Sequence, residues 1–581
     1  MSFRATMDET QVILRGQRRW SIRPAAAEPL LADDWPPDHP DRLDLVKRGN
    51  RRAVFRFETA GQGYYVKVCE AADPLRRLRA RLGMGPGRRE WDALRAARAA
   101  GLDVPEPVAL ALGPQETLVT REIPGGRRLD EYLFERCFEA GPADPPYPGA
   151  RPPELVAVFR TRRGETPADT IDPPALARAL AQIIRRLTEA DLYLGDLHPG
   201  NLLISGSAGQ WRLSLVDLAE ATRPAPAEAV LKHLVQLEHF FEPIASAAER
   251  VRCLARLREL AVDVPPAPVI ARATAVYRQR FYPGRDRRTR RESKYFRRIR
   301  VGPWRGWAAA DWADAVAALL AAAGDGDPVA SADATALKQG RTNAVWRVRL
   351  ADGRSLIAKR HHRAGDRGRV YGALEPSRST TAFRRGHELL VRGIATARPA
   401  AAVNRRGPGA DTLLLTEPVE DAQPLHEWLR GRPSPAARRH VTWQLARMLR
   451  RMHHAGLAHR DLKAPNVLVA PVHGPRPGCV LVDLDGLRQV RRLSVRRRAQ
   501  NLMRLSVSLD EWGVARQTDR LRFLRIYLWP RGCPRPMTVL ARRRGGPDAA
   551  ERLRRWWRRI ARASARKIEA LRRRRPELQW P

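Results

Sequence analysis

At 581 residues the chain has room for two to four domains of roughly 100–200 residues each, which excludes a single small module. Its 106 Lys and Arg against 63 Asp and Glu leave a formal net charge of +43, and 43% of its residues are hydrophobic. Such a chain folds, and its surface attracts polyanions: phosphate, nucleic acid or anionic lipid. Only eight of the basic residues are Lys, the other 98 being Arg. That bias, beside abundant Ala and Pro, reads in part as codon composition and makes each Lys more informative than the total. The five cysteines, Cys69, Cys137, Cys253, Cys479 and Cys533, are widely spaced and outside any Cys-x-x-Cys or Cys/His arrangement, so neither a disulfide framework nor a zinc site is expected. The N-terminus has no apolar signal region, and the longest weakly apolar run, Trp312 to Gly324, is interrupted by Asp314 and too short to span a bilayer. A cytoplasmic location is expected.

Taken in chain order, the expected elements occur twice. A strand, a Gly turn and a strand ending in Lys are expected from Lys47 (KRGNRRAVFRFETAGQGYYVKV) and again from Lys338 (KQGRTNAVWRVRLADGRSLIAKR), with turns at Ala60-Gly61 and Asp352-Gly353. A helix follows from Gly87 or Ala382, with apolar residues at three- and four-residue steps, a Gly stop and a later Pro. Next come a strand with an acidic end (LVTREIPGG, LLLTEPVED) and a helix (LARALAQIIRRLTEADL, VTWQLARMLRRMHHAGL). That helix leads into LYLGDLHPGNLLIS from Leu192 or LAHRDLKAPNVLVA from Leu457, and then LSLVDLAEA from Leu213 or CVLVDLDGL from Cys479. Asp to Asn is five residues in both, and Asn to the next Asp is 16 or 17. Three motifs in one order at such spacing indicate two copies of one fold. From the strand Lys to the loop Asp the first copy is longer, 129 residues against 102. The surplus falls mainly in the Pro- and Arg-rich stretch 139–174, read as a surface insertion. The Gly/Pro-rich stretch 321–334 reads as a linker, which places the domains at 1–327 and 328–581.

A small β-rich part, a connecting strand and a larger helical part is the order of a protein-kinase-like fold. The expected class is therefore α+β, as two tandem bilobal kinase-like domains. His459-Arg460-Asp461-Leu462-Lys463-Ala464-Pro465-Asn466 resembles the kinase catalytic loop H-R-D-L-x-x-x-N, and Val482-Asp483-Leu484 stands where the metal-binding D-F-G Asp stands. Phosphoryl transfer asks for a carboxylate to accept the hydroxyl proton, an Asn and a second carboxylate to hold Mg²⁺, and an ammonium on the phosphate oxygens. By this resemblance Asp461 is the base, Asn466 and Asp483 ligate Mg²⁺, Lys359 pairs with the α/β-phosphates of ATP, and Lys463 steadies the γ-phosphate. The first copy keeps Lys67, Asp196 as base, and Asn201 and Asp217 as metal ligands, while Leu194-Gly195 replaces the His-Arg pair and His198 replaces Lys463. Glu90, 23 residues past Lys67, is the expected helix partner of that Lys; the same alignment puts Ala382 in the second copy, leaving Glu388 or Glu375 as substitutes. Neither copy has a full G-x-G-x-x-G loop, so the single glycines Gly49 and Gly340 are the phosphate-loop candidates. Five of the eight Lys fall in these motifs, which fits an ammonium kept for a specific task. Singly, a Lys ending a strand is ordinarily a solvated edge residue and Asp-x-x-x-x-Asn a loop cap; their ordered constellation favours catalysis. His459 and His198 read equally as braces of the loop, and His361-His362 as solvent-exposed.

Past the metal Asp neither copy has an A-P-E motif or a long activation segment, so a peptide-docking platform is missing. The form D-L-H-P-G-N, R-E-W-x-A-L-x-x-x-x-x-x-G-L-x-V-P-E-P from Arg89, R-G-I-x-T-x-x-P from Arg392 and R-E-S-K-Y-F-R-R-I-R-V-G-P-W from Arg291 resemble the lipopolysaccharide kinase family, over 40–325 and 335–520. The resemblance implies ATP- and Mg²⁺-dependent phosphorylation of a heptose or Kdo hydroxyl, in lipopolysaccharide core or a related lipid-linked saccharide. Residues 551–575 place Leu553, Trp556, Trp557, Ile560, Ile568 and Leu571 along one helical face with Arg and Lys opposite. That pattern suits peripheral contact with an anionic inner membrane face and equally a helix packed on the large lobe. A second basic, aromatic stretch, 277–307, carries no nucleic-acid motif, so nucleic acid is the least favoured partner. Two other readings stand beside the family: a protein Ser/Thr kinase, from the H-R-D-L-K form of the second copy, and a non-catalytic nucleotide-binding scaffold at the membrane.

Overall fold

The computed structural model describes residues 10–15, 18–23, 43–48, 52–59, 61–70, 84–112, 115–137, 173–206, 211–241, 247–340, 343–361, 377–406, 411–470, 478–490, 492–529 and 549–574. The expected insertion lies almost wholly outside them. Described residues up to Arg278 form one unit and those from Gln279 a second, the division falling within the helix Ala267–Asp286.

In the first unit seven antiparallel strands run in the spatial order Gln11–Arg15, Arg18–Ile22, Pro107–Leu112, Gln115–Arg121, Gln62–Glu70, Arg52–Thr59, Asp44–Arg48. The second unit repeats this strand order with Phe296–Val301, Trp304–Ala309, Pro399–Arg405, Thr412–Thr416, Ser355–His361, Asn343–Arg349 and Asp333–Gln339. The turns before the Lys strands are made by Gly61 and Gly353, at φ +72° and +81°, a conformation open to glycine at little steric cost.

The division lies well ahead of the boundary expected near residue 327. The hairpin Phe296–Ala309 belongs to the second sheet, where Trp304 to Ala308 register with Arg405 to Ala401. The stretch expected as a linker is built into that unit: Val329 is buried and Asp327 forms an ion pair with Arg360. Its Gly/Pro-rich composition serves a turn between the helix Ala313–Ala323 and the edge strand.

One helix packs on each sheet beside the Lys strand. Pro86–Ala99 starts with Pro at its first position, where the missing N–H costs nothing, and buries Trp91, Leu94 and Ala97. Arg378–Val391 starts with Ser377 Oγ accepting from the Thr380 N–H at 3.1 Å. Both end at a left-handed glycine, Gly101 or Gly393, with the next residue's N–H turned back to Ala97 O or Leu389 O. The remainder of each unit is mainly helical, and thirteen helices occur among the described residues.

In the last of them, Ala549–Arg574, Leu553, Trp556, Trp557 and Ile560 pack half-buried on the second unit's core. The Trp556 ring lies 5.7 Å from that of Tyr527. Among the described residues no helix is long and apolar enough to cross a membrane.

Candidate active sites

Short backbone pairings bring the two acidic motifs of each unit together. Tyr193–Leu194 pairs with Ala221–Thr222, and Leu457–His459 with Leu487–Gln489. Beside them, the Val216 N–H donates to Asn201 O at 3.0 Å and the Val482 N–H to Asn466 O at 2.9 Å. Each loop is closed by its Asn: Asn201 Nδ2 donates to Asp196 O at 2.9 Å and Asn466 Nδ2 to Asp461 O at 2.8 Å. The second carboxylates, Asp217 and Asp483, sit in left-handed backbone at φ +64° and +61°, a costly conformation that persists where the surroundings enforce it.

A helix under each loop satisfies its backbone donors. In the first unit His233 Nε2 accepts from the Leu194 N–H at 3.0 Å and Gln236 Oε1 from the Leu197 N–H at 3.1 Å. In the second, Asn501 Oδ1 accepts from the His459 N–H at 2.9 Å and Ser508 Oγ from the Ala464 N–H at 3.0 Å. Burial lowers His233 to about 4, so its ring is the neutral acceptor this bond requires.

Both loop histidines are braces. His459 Nδ1 accepts from the Asp461 N–H at 3.2 Å while Nε2 faces Asp483 O at 2.8 Å. One nitrogen accepting and the other donating is the neutral tautomer, and burial holds His459 below its ordinary value despite the nearby acids. His198 Nδ1 accepts from the Gly200 N–H at 2.9 Å, and its Nε2 is 3.4 Å from Asp196 Oδ2.

The charged groups are arranged differently in the two units. In the first, Lys67 pairs with Glu90, the expected partner; Glu90 also meets Arg52 at 3.0 Å, and Arg52 reaches Asp217 at 2.6 Å. In the second, Lys359 pairs with Asp483 and, at 2.7 Å, with Asp485. Burial works against this ammonium, but Asp485 and Asp483 outweigh it and raise its pKa. His361 is a correction: it is buried, with Nε2 on Asp485, because it faces the same side of its strand as Lys359, two residues earlier. Its neighbour His362 lies outside the described residues.

Neither substitute for the missing helix Glu meets Lys359 among the described residues. Ala382 is fully buried, Glu388 pairs instead with Arg385 and is pushed up by burial, and Glu375 is outside the described set. Lys463 lies 2.9 Å from Asp461. Gly340 is an exposed residue just past its strand, and Gly49 is not among the described residues.

Asp485, His361 and Arg52 were missed from the sequence. The only signals were an acid two residues past Asp483 and a histidine two past Lys359. Among the described residues no group of three His, Cys, Asp or Glu side chains could hold a metal. A kinase Mg²⁺ site needs no such cage, since waters and phosphate oxygens complete the shell. With Nδ2 spent on the loop carbonyl, Asn466 keeps Oδ1 as an acceptor, and with Asp483 this donor set fits Mg²⁺.

Residues 338–527 match the model of the lipopolysaccharide kinase (Kdo/WaaP) family. The chain is 30% identical over 213 residues to 3-deoxy-D-manno-octulosonic acid kinase of Xylella fastidiosa (strain M12), covering 34% of this chain and 81% of that protein. To the kinases of the same name from Xanthomonas campestris pv. campestris (strain B100) and Xanthomonas oryzae pv. oryzae (strain PXO99A) it is 34% and 35% identical over 183 residues, covering 29% of this chain and 68% of each relative.

Proposed function

Because the chain belongs to the lipopolysaccharide kinase (Kdo/WaaP) family and is a kinase, we propose that it moves the γ-phosphoryl group of ATP, with Mg²⁺, onto a sugar hydroxyl of lipopolysaccharide core or a related lipid-linked saccharide. We read it as two tandem bilobal kinase-like units. The observation that supports this is the ion pair of Lys359 with Asp483 across 124 positions, which brings together the lysine we read as phosphate-binding and the carboxylate we read as a metal ligand.

In the second unit Asp461 takes the proton of the attacking hydroxyl. It is about half exposed, so an acceptor from solvent reaches it, and Asn466 and His459 hold its backbone still. Lys359 binds phosphate oxygens, and Lys463 supplies a second ammonium beside the base. Asp483 and Asn466 Oδ1 hold Mg²⁺, which when bound offsets charge on the phosphate oxygens. Asp196, Asn201, Asp217 and Lys67 take the same parts in the first unit. The exposed arginines Arg554, Arg558 and Arg562, on the side of the last helix away from its packed stripe, suit an anionic acceptor or lipid surface at the cytoplasmic membrane face.

The test is ADP formation and label transfer from γ-labelled ATP by the full chain, offered lipopolysaccharide core or a generic protein. Transfer to the saccharide, lost in an Asp461→Asn, Asp196→Asn double variant, is expected. Transfer to protein alone would put the peptide-kinase reading in its place.

A further inference from the structure

In a kinase the strand lysine is held by a helix carboxylate, and among the described residues the second unit has none there. Ala382 is the fifth residue of its helix, as Glu90 is the fifth of Pro86–Ala99, and it is apolar and fully buried. Lys359 meets two carboxylates instead, Asp483 and Asp485. They are not equivalent, because the kinase reading assigns Asp483 to the metal. Once Asp483 turns to Mg²⁺, Asp485 is what remains among the described residues to hold the ammonium. Resting on that reading, we propose that Asp485 is the positioning residue for Lys359, fixed by a buried relay of His361, Ser379 and Thr412, and that it does from the metal loop what Glu90 does from a helix.

The relay is continuous. His361 sits opposite Thr412 in the sheet. Its Nε2 meets Asp485, its Nδ1 lies 3.0 Å from Ser379 Oγ, and Ser379 Oγ lies 2.9 Å from Thr412 Oγ1. His361, Ser379 and Thr412 are 3%, 0% and 4% exposed, so water does not compete for these bonds and the ring has one orientation. That ring pins the oxygen, Oδ2, that Lys359 also uses.

The first unit has a different set in the corresponding places. Two residues past Lys67 stands Cys69, opposite Glu116; the second helix residue is Gly87, whose N–H donates to Glu116 at 2.8 Å. Two residues past Asp217 stands Ala219. Where the helix carries Glu, the position past the metal Asp is Ala and the strand carries Cys. Where the helix carries Ala, those positions become Asp and His. The carboxylate has moved together with its support, and the grip on Lys359 then belongs to the loop that binds metal rather than to the helix.

The rival role for Asp485 is metal ligation, since its Oδ1 is buried with no hydrogen-bond partner among the described residues. A double-mutant cycle separates the two. In the full chain with the first site silenced by Lys67→Met, binding of the fluorescent analogue mant-ATP is titrated at saturating Mg²⁺, and the Mg²⁺ requirement is titrated separately. Asp485→Asn is expected to weaken mant-ATP binding about tenfold to a hundredfold. It should add nothing once Lys359→Met is present and should leave the Mg²⁺ midpoint within about threefold, while Asp485→Glu recovers part of the loss. Additive losses, or a Mg²⁺ midpoint that moves with the affinity, would overturn the proposal in favour of metal ligation. Unchanged binding in Asp485→Asn would overturn it outright. A Lys67→Met chain that binds no mant-ATP removes the kinase reading of the second unit itself, and the proposal with it. Thermal unfolding accompanies each variant; if Asp485→Asn does not fold, His361→Gln, which keeps the carboxylate and removes its ring partner, carries the same cycle.

Discussion

Replacing Glu90 by Gln keeps the side chain's shape and removes one charge from a cluster of four. Glu90 is 2% exposed, with one oxygen on Lys67 and the other 3.0 Å from Arg52, which itself reaches Asp217 at 2.6 Å. The variant leaves two cations with Asp217 as the remaining carboxylate of the cluster. Breaking a buried pair on one side costs about 3–5 kcal/mol. Arg52 is 26% exposed and keeps Asp217, which reduces the expected cost to about 2–3 kcal/mol. The loss is local, so the assay is hydrogen exchange on the amides of Pro86–Ala99 in the full chain. At about 1.4 kcal/mol per decade, protection there should fall roughly 30- to 150-fold, with the amides of Arg378–Val391 unchanged. Removing both partners, as Lys67→Met with Glu90→Met, should restore most of it, because apolar replacement of a whole buried pair is often near neutral. Protection in Glu90→Gln within about threefold of the parent would refute the reasoning.

Acid should weaken both units through buried histidines. His233 and His453 are held by burial at about 4 and about 3, against roughly 6.5 in an unfolded chain. Between those values the unfolded chain binds protons that the folded one refuses. Their contribution is therefore full above pH 6.5 and falls as pH drops, by about 2 kcal/mol each on reaching pH 5. Melting temperatures followed from pH 7 to 5 should decline, less steeply in His453→Gln; a flat profile counts against the assignment. Gly306→Ala would set a Cβ 2.0 Å from Ala402 O, forcing the hairpin off its neighbour strand, and should cost about 3 kcal/mol. Exchange should rise at Pro399–Arg405 but not at Pro107–Leu112, and equal effects at both would contradict the hairpin's place in the second sheet. Trp556→Ala removes a half-buried ring from the last helix and should cost about 2 kcal/mol, read from denaturant midpoints of the second unit's transition; no shift would mean that the helix is not held by its apolar stripe.

Some of this was legible because the chemistry is local. Asp461, Asn466 and Asp483 announce themselves because a five-residue loop closed by its own Asn, followed by a strand pair, brings them together from nearby positions. Lys67 with Glu90 was also legible, since a strand end and the fifth residue of the next helix meet whenever that helix packs on that strand. The boundary near 327 failed for a different reason. Gly and Pro mark any sharp turn, and nothing in composition distinguishes a turn between domains from one inside a sheet. His361 was expected in solvent because a neighbouring pair of histidines reads as polar surface, whereas alternation along the strand turns His361 to the same buried side as Lys359.

By itself, the sequence determined which residue types stand at which spacing, and so the kinase chemistry, the scarce lysines set against an arginine-rich background, and the helix stops at Gly101 and Gly393. Only the tertiary structure decided which carboxylates Lys359 meets. Lys359 and Asp485 are 126 positions apart, and their contact depends on sheet register, on the helix that brings Ser379 under His361, and on the turn that follows Asp483. An ion pair at such separation is set by where packed elements leave room for two charges, a property of the assembled fold rather than of any segment of the chain.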